Sequence, residues 1–287
     1  MPIARNNLVG ITLYGGSILP GIHGGEELNI VSSFEAVGAH AAGRIDGDQL
    51  HQIECHACPG AGSCGGMYTA NTMAAAIEAM GMSPPGSSSN MAADRANNIS
   101  PEKKEDVLTS ARMLVNLLEK NITARQIMTR KAFENGLTVA WALGGSTNAV
   151  LHLLALAREA GVALSLADIE TITRKVPLLG NFKPSGRYLM NDLHEIGGVP
   201  MVMKVLLDGS TMPAGEHSVN WDGRGRPSGI YYYHKALADG AGEGAEEGTG
   251  ISGGSGSGVG KGDGLAPDLD GARRCCRTAT RLTEIFL

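Results

Sequence analysis

Ile53-Glu-Cys55-His-Ala-Cys58-Pro-Gly-Ala-Gly-Ser-Cys64-Gly-Gly-Met-Tyr-Thr-Ala-Asn-Thr-Met73 places three of the chain's five cysteines in one short loop. Glycines surround the last of them. A helical pattern then starts, with Tyr68, Ala70, Met73, Ala74, Ile77 and Met80 on its apolar side and Gly81 at its end. Cys64 therefore lies just upstream of a helix N-terminus, where free N–H groups and the helix dipole favour an anion. A thiolate is such an anion, and it binds iron or zinc where a thiol does not. Gly62, Gly65 and Gly66 would let backbone crowd close to whatever Cys64 holds. The spacing Cys55-x2-Cys58-x5-Cys64 is compatible with a metal site, and His56 is a candidate fourth ligand for zinc. No second Cys/His pair follows at zinc-finger spacing, and buried cysteines also serve as small apolar residues.

Upstream, 8–16 (Leu-Val-Gly-Ile-Thr-Leu-Tyr-Gly-Gly) reads as a short buried strand running into a glycine loop that continues to Gly25. It is neither GxGxxG nor a Walker loop. Over 29–43, Ile30, Val31, Phe34, Val37 and Ala41 fall on one helical face, with Glu35 and His40 near its edge. Downstream, 83–90 is a Pro/Ser loop. Ser100-Pro-Glu-Lys opens a helix striped by Val107, Ala111, Leu114, Val115 and Leu118, with the charges of 102–106 expected in solvent. Thr123-Ala-Arg-Gln126 and Ser165-Leu-Ala-Asp168 are capping boxes. Between them, Gly144-Gly-Ser-Thr-Asn148 opens a helix over 149–160 and offers N–H groups and hydroxyls to an anion, although Ser146 or Thr147 as a plain N-cap is the simpler reading. His152 reads as a core or edge residue. Asp192, His194 and Glu195 read as a helix start with a structural hydrogen bond. The periodic pattern stops near residue 212, and 239–264 is too glycine-rich to bury a core. Cys275 and Cys276, being adjacent, suit one metal poorly.

The run 58–73 resembles the signature of the dihydroxy-acid dehydratases, within the larger family of phosphogluconate and sugar-acid dehydratases. The Tyr14-Gly-Gly-Ser-Ile-Leu-Pro-Gly21 loop, 130–136, 144–148 and the Asp192-Leu-His-x-x-Gly-Gly198 stretch are similar to that family too, so the resemblance spans about 3–212. It implies an α/β fold: a partial N-terminal dehydratase domain over 1–212, with a parallel sheet flanked by helices. A low-complexity, non-family tail over 213–287 would follow, expected to be disordered. It further implies a hydro-lyase that removes water from 2,3-dihydroxy-3-methyl acids to give 2-oxo acids in isoleucine and valine biosynthesis.

In that family the cysteine matching Cys64 is one of three protein ligands of a 2Fe-2S cluster. Cys58 matches a common non-ligand cysteine, and Cys55 has no assigned role. Ser146, Thr147 and Asn148 would face the active site and meet the substrate carboxylate. The family's other two cluster cysteines and its Mg2+ ligands have no match in this sequence, and neither does its serine base. The chain alone is therefore expected to be inactive and cluster-poor. The implied partners are a small dihydroxy acid and a second subunit of a homodimer. The alternatives are a non-catalytic interaction domain derived from this fold, a sugar-acid or phosphogluconate dehydratase fragment, and a zinc site of Cys55, Cys58, Cys64 and His56.

Composition agrees with this class. The 287 residues carry a formal charge of −5, which gives no electrostatic reason to bind nucleic acid or an anionic membrane. No apolar run is long enough to span a bilayer, and a secretory signal is not expected. The cysteines do not form a secreted disulfide framework, so the cytoplasm, or a mitochondrial or plastid matrix, is the expected compartment.

Overall fold

A computed structural model describes residues 1–209 and, after them, only the backbone of two paired strands. In chain order the elements are α1 (Pro2–Arg5), β1 (Gly21–His23), β2 (Glu26–Leu28), α2 (Ile30–Ala41), α3 (Gly47–Ala57) and α4 (Thr69–Ala79). A short 3-10 turn, Ser87–Ser89, precedes α5 (Pro101–Glu119), α6 (Ala124–Ile127), α7 (Arg130–Ala142) and α8 (Asn148–Ala160). Then come α9 (Leu166–Thr173), α10 (Met190–Glu195), α11 (Gly198–Gly209), β3 (Glu216–Trp221) and β4 (Gly229–His234).

Helix α4, launched by the cysteine loop, is the centre of the packing. Ala75 and Ala79 join one core with Val139, Leu143, Met190, Leu193, Val199 and Val202. Ala76 and Met80 join a second core with Phe133, Leu137, Ala149, Leu153 and Ile169. A helix pressed from both sides needs small side chains, which accounts for its alanines. Gly136 of α7 marks the crossing with α4: a Cβ there would lie 2.9 Å from Met80 Cγ and 3.1 Å from the Ala76 carbonyl oxygen. Gly81 then ends α4 with a φ of 83°, the left-handed conformation that glycine takes without strain.

The parallel sheet expected from the sequence is not found. Among the described residues the chain is mostly helical, and its strands form two antiparallel pairs, β1 with β2 and β3 with β4. The stretch 8–16 is extended but makes no strand, and Leu8 and Leu13 are exposed instead of buried. Among the described residues parallel pairing survives as isolated bridges, from Ser17 to Ser63 and to Met91, and between Phe182 and Tyr188. The partner segments of Ser17 are a glycine-rich bend and a serine-rich turn, and each leaves the ladder after one residue.

Two helices also turn the opposite way from their periodicity. On α2 the apolar stripe faces outward, with Phe34 69% and Val37 50% exposed and Ala36 buried. On α5, Val107, Val115 and Leu118 are exposed while Lys103, Asp106 and Ser110 are buried, so the charges of 102–106 are not all in solvent. Lys103 Nζ lies 2.8 Å from Asp106 and donates to the backbone carbonyls of Tyr14 (3.0 Å) and Ser87 (2.9 Å). Asn90 Nδ2 donates to Asp106 Oδ2 at 2.9 Å. A buried charge persists only with such partners, which the Tyr14 carbonyl and the polar 83–90 loop supply.

The Thr123 capping box opens only a short helix, and a second one follows at once. α6 ends at Ile127, and Thr129 caps α7 by accepting from the Ala132 N–H. Of the tail over 213–287, only the backbone pairing of β3 and β4 is described. The expected disorder, Cys275 and Cys276 lie outside the described residues. Among those described, no helix is long and apolar enough to cross a membrane.

Candidate functional site

Cys64 sits on a loop tied down by five other parts of the chain. Ile18 N–H donates to the Ser63 carbonyl (2.8 Å), and Ser63 N–H donates to the Gly16 carbonyl (3.0 Å). Met190 N–H donates to the Gly65 carbonyl (2.7 Å), Met67 N–H to that of Lys183 (2.7 Å), and Ala61 N–H to Asn97 Oδ1 (2.9 Å). From inside, Asn71 Nδ2 of α4 donates to the carbonyls of Cys64 and Gly66, both at 2.7 Å. The glycines do allow close approach, but to the chain itself. A Cβ on Gly62 would lie 2.5 Å from the Ile18 nitrogen, and one on Gly66 2.9 Å from the Lys183 oxygen.

Held this way, Cys64 is exposed. With Cys58, Ile18, Pro20, Ala57 and Leu189 it borders a crevice of about 10 Å³, room for a single water. Partial burial pushes the Cys58 thiol up, and the charge of Cys64 adds to this. The hydroxyls of Tyr14 and Tyr68 are also raised, first by burial and then, among the charges, by Cys64. Three weak acids thus surround Cys64, each less ready to ionise in its presence.

The four-ligand zinc reading fails. Cys55 Sγ faces His51 Nε2 at 3.5 Å, one turn back along α3. His56 Nδ1 is committed to the Gln52 carbonyl at 2.7 Å, and its ring lies 4.7 Å from that of His23. Among the described residues no group of three or more His, Cys, Asp or Glu side chains is placed to hold a metal ion. The described residues therefore do not by themselves make a site for a 2Fe-2S cluster or for Mg2+. What they offer are three exposed thiols, at Cys55, Cys58 and Cys64, that do not converge on one point.

The 144–148 loop docks on the first turn of the same helix that follows Cys64. Ser146 N–H donates to Thr72 Oγ1 (2.9 Å), and Asn148 Nδ2 donates to Thr69 Oγ1 (2.8 Å). Thr147 occupies the N-cap position of α8 without a side-chain cap bond, while Ser146 Oγ accepts from the Asn148 N–H at 3.3 Å. Thr147 and Asn148 are exposed. Two motifs far apart in sequence thus meet at one helix end. Glu35, His40 and His152 are exposed and stand apart from this arrangement. Asp192 Oδ2 accepts from the Leu189 N–H at 2.8 Å at the start of α10, a structural role. The sequence reading missed Asn71, although it stands inside the quoted signature. Its signal was an amide in the first turn of an alanine-rich helix.

A glycine-bent cysteine loop launching a doubly packed helix, with a Gly-Gly-Ser-Thr-Asn loop seated on that helix's first turn, defines a class. The chain belongs to the dihydroxy-acid/6-phosphogluconate dehydratase family, whose N-terminal region matches residues 1–222. It is 56% identical over 206 residues to a dihydroxy-acid dehydratase of Chloroflexus aurantiacus, an alignment that covers 72% of this chain and 36% of that protein. Dihydroxy-acid dehydratases of Synechococcus sp. and Synechocystis sp. are 54% identical over 212 residues (74% of this chain, 37% of that protein) and 56% identical over 205 residues (71% and 36%). The chain thus spans about a third of the length of the curated relatives it matches.

Proposed function

We propose that this chain carries the N-terminal part of a dihydroxy-acid dehydratase of isoleucine and valine biosynthesis. The reaction is a hydro-lyase step: a 2,3-dihydroxy-3-methyl acid loses the C2 proton and the C3 hydroxyl as water, and the enol becomes a 2-oxo acid. The supporting observation is the convergence of the exposed Cys64 loop and the 144–148 loop on the first turn of α4. Cys64 would give one thiolate to a 2Fe-2S cluster, whose other ligands would have to come from outside the described residues. When bound, such a cluster supplies a Lewis acid for a hydroxyl, which is a poor leaving group unless polarised. Ser146, Thr147 and Asn148 orient the substrate carboxylate at the N-terminus of α8.

With one thiol in place, the chain by itself neither holds a cluster tightly nor turns over. Reconstitution with ferrous iron and sulfide, followed by an optical spectrum and a dehydratase assay, tests this. A stoichiometric cluster with turnover would overturn it. In a full-length relative, changing the residues that match Thr147 and Asn148 to alanine is expected to raise KM for the dihydroxy acid. An unchanged KM removes the carboxylate role.

The outward apolar stripe of α5 favours a second reading, in which the chain is a non-catalytic domain that pairs with a dehydratase subunit. Analytical ultracentrifugation of this chain mixed with a full-length relative separates the two. A mixed species supports pairing, and independent sedimentation refutes it.

A further inference from the structure

We propose that Asn71 is the positioning residue for the Cys64 thiol. The inference rests on the reading of Cys64 as the metal-binding cysteine, but its geometry is independent of any metal. Asn71 is fully buried, with 0% exposure. A primary amide has two N–H donors and two acceptor lone pairs, and a buried one is costly unless they are used. Here all four are used. Nδ2 donates to the Cys64 carbonyl and to the Gly66 carbonyl, both at 2.7 Å. Oδ1 accepts from the Tyr14 hydroxyl and from the Ser17 hydroxyl, both at 2.6 Å.

The orientation of the amide follows from the chemistry of its partners. The two carbonyls can only accept, so the nitrogen must face them, and the hydroxyls then turn their protons toward Oδ1. One side chain therefore grips the carbonyl immediately after the Cys64 Cα and the one two residues on. That fixes the peptide planes on which the thiol is mounted. The far side of the amide ties this grip to the 14–17 loop, which also bonds Ser63 through its backbone.

No substitute of the same size does both jobs. Aspartate would bring a second acceptor against two carbonyls. Leucine or alanine would leave two carbonyls and two hydroxyls without their partner. A residue that only stabilised α4 would need neither the carbonyl at 64 nor the hydroxyl pair.

The test measures the rate at which iodoacetamide alkylates each cysteine of the whole chain, resolved by peptide mapping, with Cys55 as internal reference. Cys64 is already exposed on one side and borders a crevice with room for one water on the other, so loosening the loop adds access from that second side to a basal rate that is not zero. N71D and N71A are expected to raise the Cys64-to-Cys55 rate ratio by about threefold to tenfold, as the loop loses its inner contacts. The Cys58-to-Cys55 ratio should rise less than the Cys64 ratio, because Cys58 shares the crevice but its own carbonyl is not held by Asn71. Y14F and S17A, which each remove one donor to Oδ1, should give a smaller rise of about twofold.

Far-UV circular dichroism and a urea midpoint report folding for every variant. An unchanged Cys64 ratio in folded N71D and N71A overturns the proposal. So does an equal rise at all three cysteines, which would reveal only a looser fold. If the Asn71 variants do not fold, Y14F and S17A decide, and an unchanged ratio in both overturns it. Because no metal is present, the result stands whether or not Cys64 binds a cluster, and the iron reconstitution above answers that question separately.

Discussion

Replacing Glu78 by glutamine sets two physical effects against each other at one buried site. Glu78 is 5% exposed on α4. Its Oε1 accepts from the Gly86 N–H at 2.6 Å, and its Oε2 accepts from the Ser88 N–H at 2.9 Å and from the Ser88 hydroxyl. Burial pushes this carboxyl above its ordinary value, the three donors pull it back, and the charge of Asp106 adds to the rise, leaving it raised. In Glu78→Gln one oxygen becomes an NH2 group, so one buried N–H faces a donor whichever way the amide turns. That costs about 1–3 kcal/mol, or roughly 0.5–1.5 M in urea midpoint for a chain of this size.

The sign of the pH dependence follows from linkage. A carboxyl raised by folding binds more protons in the folded state, so its contribution is fully present below the unfolded value and is lost as pH rises through the folded value. Glutamine has no such term. The wild-type advantage over Glu78→Gln should therefore be largest below about pH 4 and shrink as pH rises. Asp106, paired with Lys103 at 2.8 Å, is present in both proteins and largely cancels in the difference. Glu78→Ala, which orphans all three donors, should cost more than glutamine at low pH. Urea titrations at several pH values measure the difference directly. An advantage that widens with pH would mean the three hydrogen bonds outweigh burial, and the reasoning would be refuted.

Other outcomes are read from the same unfolding assay. Phe133 is completely buried between α4, α7 and their neighbours, and Phe133→Ala should cost about 3–5 kcal/mol. Gly145→Ala puts a Cβ 2.7 Å from the Ala140 carbonyl oxygen and 2.6 Å from Thr72 Cγ2, so it should cost about 1–3 kcal/mol and loosen the 144–148 loop. Gly38→Ala, mid-helix on α2 with open space around it, should instead add about 0.5–1 kcal/mol. Ser100 caps α5 by accepting from the Lys103 N–H and also donates to the Met91 carbonyl, so Ser100→Ala should cost about 1–2 kcal/mol.

Local chemistry was legible without coordinates. Ser100 and Ser165 start helices because their hydroxyls satisfy N–H groups three residues on, a reach contained within four residues of sequence. The helix after Cys64 and its glycine stop were readable for the same reason. The cysteine motif with its neighbours was enough to point to the family. The direction a helix faces was not legible. On α5 the periodicity marks Val107, Val115 and Leu118 as the face to bury, yet the body of the domain presents carbonyls and Asn90, and Lys103 with Asp106 turn inward to meet them.

The parallel sheet was expected from the family resemblance, and one of its strands from the apolar run 8–16, whereas a strand exists only where a neighbour continues the ladder, and the neighbours of Ser17 bend away after one residue. The grouping of the cysteines was a tertiary matter too. Three thiols close in sequence diverge once α3 carries Cys55 and His56 to its own surface and the loop carries Cys64 back to α4. The sequence by itself determined caps, stops and family, because those depend on contacts a few residues long. Only the tertiary structure decided that Asn71 holds the Cys64 loop and that the 144–148 loop meets it at the same helix end, because those bonds join segments brought together by the packing of α4 between two cores.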